Sequence, residues 1–223
     1  VSDRRAALAA RLRKDGTPVR RALACLLVAA ALASGTRPAV ADKLLRIPTA
    51  ERAGWSVEHL ERTEGADEGF TALTLPLGTL YEGSIRYNRD FDGSHALEIG
   101  GMAQLIPQSF GFPAIAVGVW DVTNSGPDGR RFFLALTRDF EQDEFLPRAL
   151  RPIQATLGIG TDRLGGPFAG LRWRVASGVS LLGEYDSRRF NAGLWWSPTP
   201  ALTLKGELHN GDPFVGARLQ FAF

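Results

Sequence analysis

The sequence predicts an all-β chain: an antiparallel up-and-down transmembrane β-barrel of about twelve strands, following a cleavable signal peptide. Three observations carry this expectation. Apolar and polar residues alternate with a period of two through most of the chain after residue 42, as they do in a strand whose two faces meet different surroundings. Turn-forming residues recur between the alternating runs. The first 41 residues have the charge and hydropathy profile of an export signal.

That leader comes first in chain order. A basic stretch ending at Arg20-Arg21 precedes twelve apolar residues, 22–33. A membrane-spanning helix needs roughly 20 such residues, whereas a signal peptide needs about 7–15. Gly35 and Pro38 follow, then Ala39-Val40-Ala41, so cleavage is expected after Ala41, with Ala39 and Ala41 as the small residues of the site. The leader holds eight basic and two acidic residues. Without it, 18 basic and 22 acidic residues remain, a net of −4 where the whole chain carries +2. The basicity therefore belongs to the leader, and a nucleic-acid partner loses its compositional support. Cys25, the single cysteine, lies in the leader. The 182 residues from Asp42 onward have no thiol for a disulfide, a nucleophile or a metal ligand; no cofactor is expected.

Strands are expected near 54–61, 69–76, 79–88, 95–106, 113–122, 130–139, 152–160, 167–175, 178–186, 189–197, 201–209 and 213–223. Alternation is clearest at the C-terminal end, where Leu202, Leu204 and Leu208 oppose Thr203, Lys205, Glu207 and His209. Val215, Ala217, Leu219, Phe221 and Phe223 oppose Gly216, Arg218 and Gln220 in the same way. Pro76-Leu77-Gly78, Asp92-Gly93, Ser177-Gly178, Pro198-Thr199-Pro200 and Asn210-Gly211-Asp212-Pro213 supply turns. The first, second and fifth strands alternate poorly, which leaves ten as the lower count. The long connector 141–151 has the composition for one short helical turn.

A soluble periplasmic β-sandwich that binds a ligand also alternates, with its apolar face inward. Here the polar face carries Glu82, Arg86, Glu98, Arg172, Arg174, Glu184, Arg189, Lys205, Glu207 and Arg218, interspersed with glycines such as Gly158 and Gly193. Aromatic residues collect near the strand ends of the apolar face, at Tyr81, Tyr87, Trp173, Tyr185, Trp196, Phe221 and Phe223. An apolar band with aromatic girdles around a polar interior favours the barrel, and its charged residues are read as facing the lumen. Leu219, Phe221 and terminal Phe223 resemble the C-terminal sorting signal of bacterial outer-membrane proteins, which implies recognition by the barrel-assembly machinery. With both ends in the periplasm, six connections fall outside, and each contains an acidic residue. They would suit cation bridging to lipopolysaccharide; Asp is also a common turn former.

Several segments resemble the YjbH-type family of outer-membrane proteins associated with exopolysaccharide production. They are Leu73-Thr74-Leu75-Pro76 with Glu82-Gly83-Ser84-Ile85-Arg86-Tyr87, then residues 112–121, Leu157-Gly158-Ile159-Gly160, residues 166–171, Leu182-Gly183-Glu184-Tyr185-Asp186 and Asn191-Ala192-Gly193-Leu194. Their order agrees with the family over residues 70–195, in a chain much shorter than the full-length members. The resemblance implies an outer-membrane protein of a Gram-negative bacterium that assists exopolysaccharide export or surface assembly, as a narrow conduit for transport or as a scaffold. Its partners would be outer-membrane lipid and lipopolysaccharide, the exopolysaccharide and its export proteins.

The competing reading is an outer-membrane enzyme acting on lipid or glycan. Only His59, His95 and His209 are available as bases. Ser94 and His95 are strand neighbours and point oppositely, and no Gly-x-Ser-x-Gly is present. His209 reads as a solvated residue beside a loop. Glu184 and Asp186 near Arg172 and Arg174 invite a glycosidase reading, but cross-strand ion pairing accounts for the same residues. The expectation is therefore no catalytic residue and no covalent chemistry, with inward charges balanced in sign.

Overall fold

A computed structural model describes residues 44–51, 54–64, 68–89, 94–126, 129–141, 147 and 152–221. The expected leader with Ala39 and Ala41, most of the 141–151 connector, and Phe223 lie outside the described residues.

Twelve strands form: β1 (Trp55–Arg62), β2 (Gly69–Leu77), β3 (Tyr81–Arg89), β4 (His95–Ile106), β5 (Ala114–Trp120), β6 (Arg131–Asp139), β7 (Ile153–Gly160), β8 (Gly166–Ala176), β9 (Val179–Tyr185), β10 (Phe190–Thr199), β11 (Leu202–His209) and β12 (Asp212–Phe221). A 3-10 turn, Asp162–Leu164, joins β7 to β8. Each strand pairs antiparallel with its sequence neighbours, and β1 closes the barrel on β12 in a register running from Trp55 opposite Phe221 to Arg62 opposite Phe214. Every strand thus has a partner on both sides, which removes the unpaired edges that lipid does not tolerate.

The weakly alternating strands β1, β2 and β5 form because the ladder recruits backbone, whatever the pattern of side chains. Turn chemistry sets the connections. Asn210 and Gly211 both take positive φ, 56° and 92°, as a two-residue hairpin between right-twisted strands requires. The 121–130 connection is braced by Asp121, whose carboxylate accepts the amides of Ser125 at 3.0 Å and Gly126 at 2.7 Å. Three register irregularities, in β4/β5, β8/β9 and β10/β11, all lie at the end where β1 begins and β12 ends, here termed the near end.

Outward positions are exposed and apolar through the middle of the wall, including Ile99, Leu134, Leu157, Leu171, Leu194 and Leu204. Exposed Tyr87, Phe132 and Phe190 lie toward the far end; Trp55, Tyr81, Trp173 and Trp196 lie toward the near end. Leu157 occupies the middle of β7 on this outer face. Leu157→Arg is expected to lower unfolding stability in lipid vesicles by about 2–4 kcal/mol, measured by denaturant titration, with Leu157→Phe close to wild type.

Candidate functional site

Alternation sends every second residue of the wall into the lumen, where two unlike regions result. From β4 to β9 the inward residues are largely apolar or small: Met102, Ala114, Ala116, Trp120, Phe133, Ala135, Phe168 and Leu182. From β10 through β12 to β3 they are largely polar, among them Asn191, Lys205, Glu207, Arg218, Glu58, Glu82 and Arg86.

The apolar region is covered by the chain itself. Residues 44–51, Leu-Leu-Arg-Ile-Pro-Thr-Ala-Glu, run inside the barrel, antiparallel to β1. Leu44, Leu45, Ile47, Thr49 and Ala50 are at most 6% exposed. Eight residues reach at most about 28 Å, enough to traverse a wall whose apolar band is roughly 25 Å tall. Wall glycines make the room. A Cβ at Gly170 would lie 2.3 Å from Leu44 Cδ1 and 2.7 Å from Ile47 Cδ1, and one at Gly193 would lie 2.7 Å from Leu45 Cδ2. Gly158 likewise accommodates the Phe168 ring. The space expected at Gly158 and Gly193 is therefore occupied.

Polar anchors hold the segment along its length. Near the far end the Glu184 carboxylate accepts the backbone N–H of Arg46 (2.8 and 3.0 Å to its two oxygens) and of Ile47 (3.2 Å), together with Asn191 Nδ2 at 2.8 Å. Arg46 Nε donates to His209 Nδ1 at 3.2 Å. That bond leaves Nδ1 without a proton, so Nε2 carries it and donates to Glu207 Oε2 at 2.8 Å. Toward the near end Ala50 N–H donates to Thr137 Oγ1 (2.8 Å), Gln104 Nε2 donates to the Ala50 carbonyl (2.9 Å) and Gln154 Nε2 to Glu51 (2.7 Å). Burying Leu44, Leu45 and Ile47 contributes roughly 6 kcal/mol, while ordering eight residues costs about 8 kcal/mol or more. Apolar burial alone does not offset that cost, so the hydrogen bonds are needed to keep the segment seated.

Ion pairs organise the polar region. Glu58 holds both Lys205 Nζ (2.9 Å) and Arg218 Nε (3.0 Å). Lys205 Nζ also lies 4.1 Å from the Trp195 ring centroid, and Trp195 Nε1 donates to Glu207 at 3.0 Å. Across the lumen, within the β4–β9 region, Glu98 of β4 pairs with Arg131 of β6 at 3.1 Å.

Of the charged residues expected in the lumen, Glu82, Arg86, Glu98, Arg172, Arg174, Glu184, Lys205, Glu207 and Arg218 occupy inward positions of their strands. Arg189 does not: it sits exposed in the 186–189 turn, because β9 ends at Tyr185 and β10 starts at Phe190. The expected pairing of Glu184 and Asp186 with Arg172 and Arg174 is also replaced. Glu184 holds the inserted segment, Asp186 accepts the amides of Arg188 and Arg189 (3.2 and 2.8 Å), and Arg174 pairs with Glu141. His209, expected in solvent, is 6% exposed and stacks on Phe214 with ring centroids 4.6 Å apart. Sequence reasoning missed residues 44–51 altogether. Their one local signal was an apolar run, Leu44-Leu45-Arg46-Ile47-Pro48, joined to no strand. Leu219 and Phe221 lie on β12.

Among the described residues, two cavities lie beside the segment. One of about 100 Å³ opens toward the far end, over Leu45 and Arg46, and is lined among others by Phe70, Arg86, Arg89 and Arg131. A smaller one of about 30 Å³ lies beside Pro48, Thr49 and Glu51.

No family model matches the chain, and no curated protein matches it. Among solved structures it is similar to a NanC porin determined in a rhombohedral crystal form, with 12% sequence identity and a TM-score of 0.48. The alignment covers 76% of this chain and 100% of that one.

Two expectations follow from the seat. Gly170→Val is expected to destabilise the barrel by about 1–3 kcal/mol through overpacking, and adding Ile47→Ala should recover part of that loss in a double-mutant cycle read by denaturant unfolding. Glu51 belongs to no strand and sits at the near end. Burial, then the charge of Asp139, raise its pKa from 4.5 to about 7 against the opposing pull of Arg172 and the Gln154 hydrogen bond. Glu58, Glu82 and Arg218 line the same cavity as Glu51. A raised carboxylate pKa favours the protonated, folded form. The associated stabilisation is complete below about pH 4.5 and is lost as pH rises through about 7. Unfolding titrations from pH 4 to 9 should show this loss, and Glu51→Gln should flatten it.

Proposed function

We propose that this chain is an outer-membrane β-barrel that assists exopolysaccharide assembly at the cell surface as a scaffold, with its lumen closed in the resting state. The observation that carries the scaffold reading is the occupation of the lumen by residues 44–51, whose buried Leu44, Leu45 and Ile47 stand where a conduit needs space. The outer-membrane reading is supported by a closed ladder with an apolar outer band and aromatics toward both ends. The exopolysaccharide reading rests on the resemblance to the YjbH-type family over residues 70–195. In that setting the near end faces the periplasm and the six far-end connections face lipopolysaccharide and the polymer outside.

Covalent chemistry has little to work with here. His209 is the inward-facing histidine; His59 and His95 lie on the outer face of β1 and β4. Both His209 ring nitrogens are taken, by Arg46 and Glu207, leaving neither to activate a serine. Glu184 is engaged with backbone amides, not presented to a glycosidic bond.

Fractionation of the native host is expected to recover the protein in the outer membrane, with a heat-dependent shift in gel mobility. Deleting the gene should reduce surface exopolysaccharide, and the wild-type gene should restore it. Recovery as a soluble periplasmic protein would sink the barrel reading; unchanged polysaccharide would sink the role.

A further inference from the structure

Residues 44–51 fill the lumen without belonging to the wall. The ladder closes through twelve strands, each paired on both sides. The backbone groups of the segment bond instead to side chains: the amides of Arg46 and Ile47 to Glu184, the amide of Ala50 to Thr137, and its carbonyl to Gln104. Withdrawing the segment would therefore break no strand pairing. The seat it leaves combines small positions, Ala114, Ala116, Ala135, Gly170 and Gly193, with large apolar side chains such as Phe133, Phe168 and Leu182.

We infer that residues 44–51 are a releasable plug, and that the barrel becomes a channel for small hydrophilic solutes when the plug leaves, with Glu184 as the latch. This adds an activity to the scaffold role and does not depend on which polymer the protein serves. Glu184 is suited to the task because it is the anchor that grips two successive backbone amides, and a carboxylate bonded to amides is a stronger acceptor than a neutral group. Its oxygens would meet water once the plug moved, so release exchanges its partners and does not strand a buried charge.

The exposed lining fixes the solute class. Arg131, Arg172, Lys205 and Arg218 face Glu58, Glu98, Glu184 and Glu207, so both signs line the passage. The plug takes one cation, Arg46, and one carboxylate, Glu51, away with it. The channel accordingly has a charged wall beside an apolar one, and is weakly selective by charge. Twelve strands lie between the small barrels filled by their own side chains and the wide water-filled porins, which limits passage to small solutes.

The test is single-channel conductance of the refolded full chain in planar bilayers. Wild type is expected to be closed with brief openings. Glu184→Ala should raise the open fraction on the order of tenfold to a hundredfold, the range for losing hydrogen bonds to a charged group. Ile47→Asp, which leaves the wall untouched and places a charge in the apolar seat, should do the same. A disulfide between Ala50→Cys and Thr137→Cys, built into the Glu184→Ala chain, should close the channel when oxidised and reopen it on reduction. The proposal is overturned if Ile47→Asp shows the heat-dependent mobility of a folded barrel and stays as closed as wild type. It is also overturned if current persists unchanged through the oxidised lock, since the pore would then not run past the plug.

Discussion

Closing twelve strands into one sheet satisfies the backbone and at the same time encloses a space wider than the wall can fill. Small eight-stranded barrels fill their interior with side chains, and sixteen-stranded porins leave it to water. This barrel lies between them. Its inward glycines and alanines on β4 to β8 leave a gap along one side, while charged residues and Trp195 occupy the other. The gap is apolar, so water gains little there, and an apolar peptide from the same chain takes its place. The asymmetry of the lumen, the position of the wall glycines and the role of Glu184 all follow from that one mismatch between circumference and contents.

Much of the wall was legible in the sequence because a lipid-facing strand has to alternate, and alternation survives without knowledge of neighbours. Ile153, Ala155, Leu157 and Ile159 against Gln154, Thr156, Gly158 and Gly160 specify both the strand and its facing. The pairing of charges was not legible. Glu58 meets Lys205 and Arg218 because β1 closes on β12, a contact between residues 147 and 160 positions apart that no local pattern encodes. Local reasoning instead matched Glu184 with arginines close to it in sequence, and missed that a backbone can outcompete a guanidinium for a buried carboxylate.

Residues 44–51 were illegible for a different reason. Leu44-Leu45-Arg46-Ile47-Pro48 has neither the period of a strand nor the length of a helix, and it directly follows a stretch with the features of an export signal. Only its complement reveals what it is for: Gly170 and Gly193 make room for its leucines and isoleucine, and in the sequence Gly193 read as a glycine of the lumen. The same glycine is evidence for a pore or for a packed peptide, depending on a partner more than a hundred residues away. His209 shows the converse. It is polar and next to a turn, which suggests solvent, yet Arg46 and Phe214 enclose it.

The plug connects through residues 52–54 to β1, and β1 is one lip of the seam on β12. The part of the chain that fills the barrel is thus tied to the part that completes it. A chain whose last strand is damaged leaves β1 with an open edge and, at the same stroke, loses the wall of Gly216 and Arg218 that backs the polar side of the lumen. Such a half-built barrel displays an unpaired strand and a greasy peptide together, two features that proteases and chaperones bind. Seam and plug are therefore completed or lost together, and one damaged strand undoes both the wall and its filling.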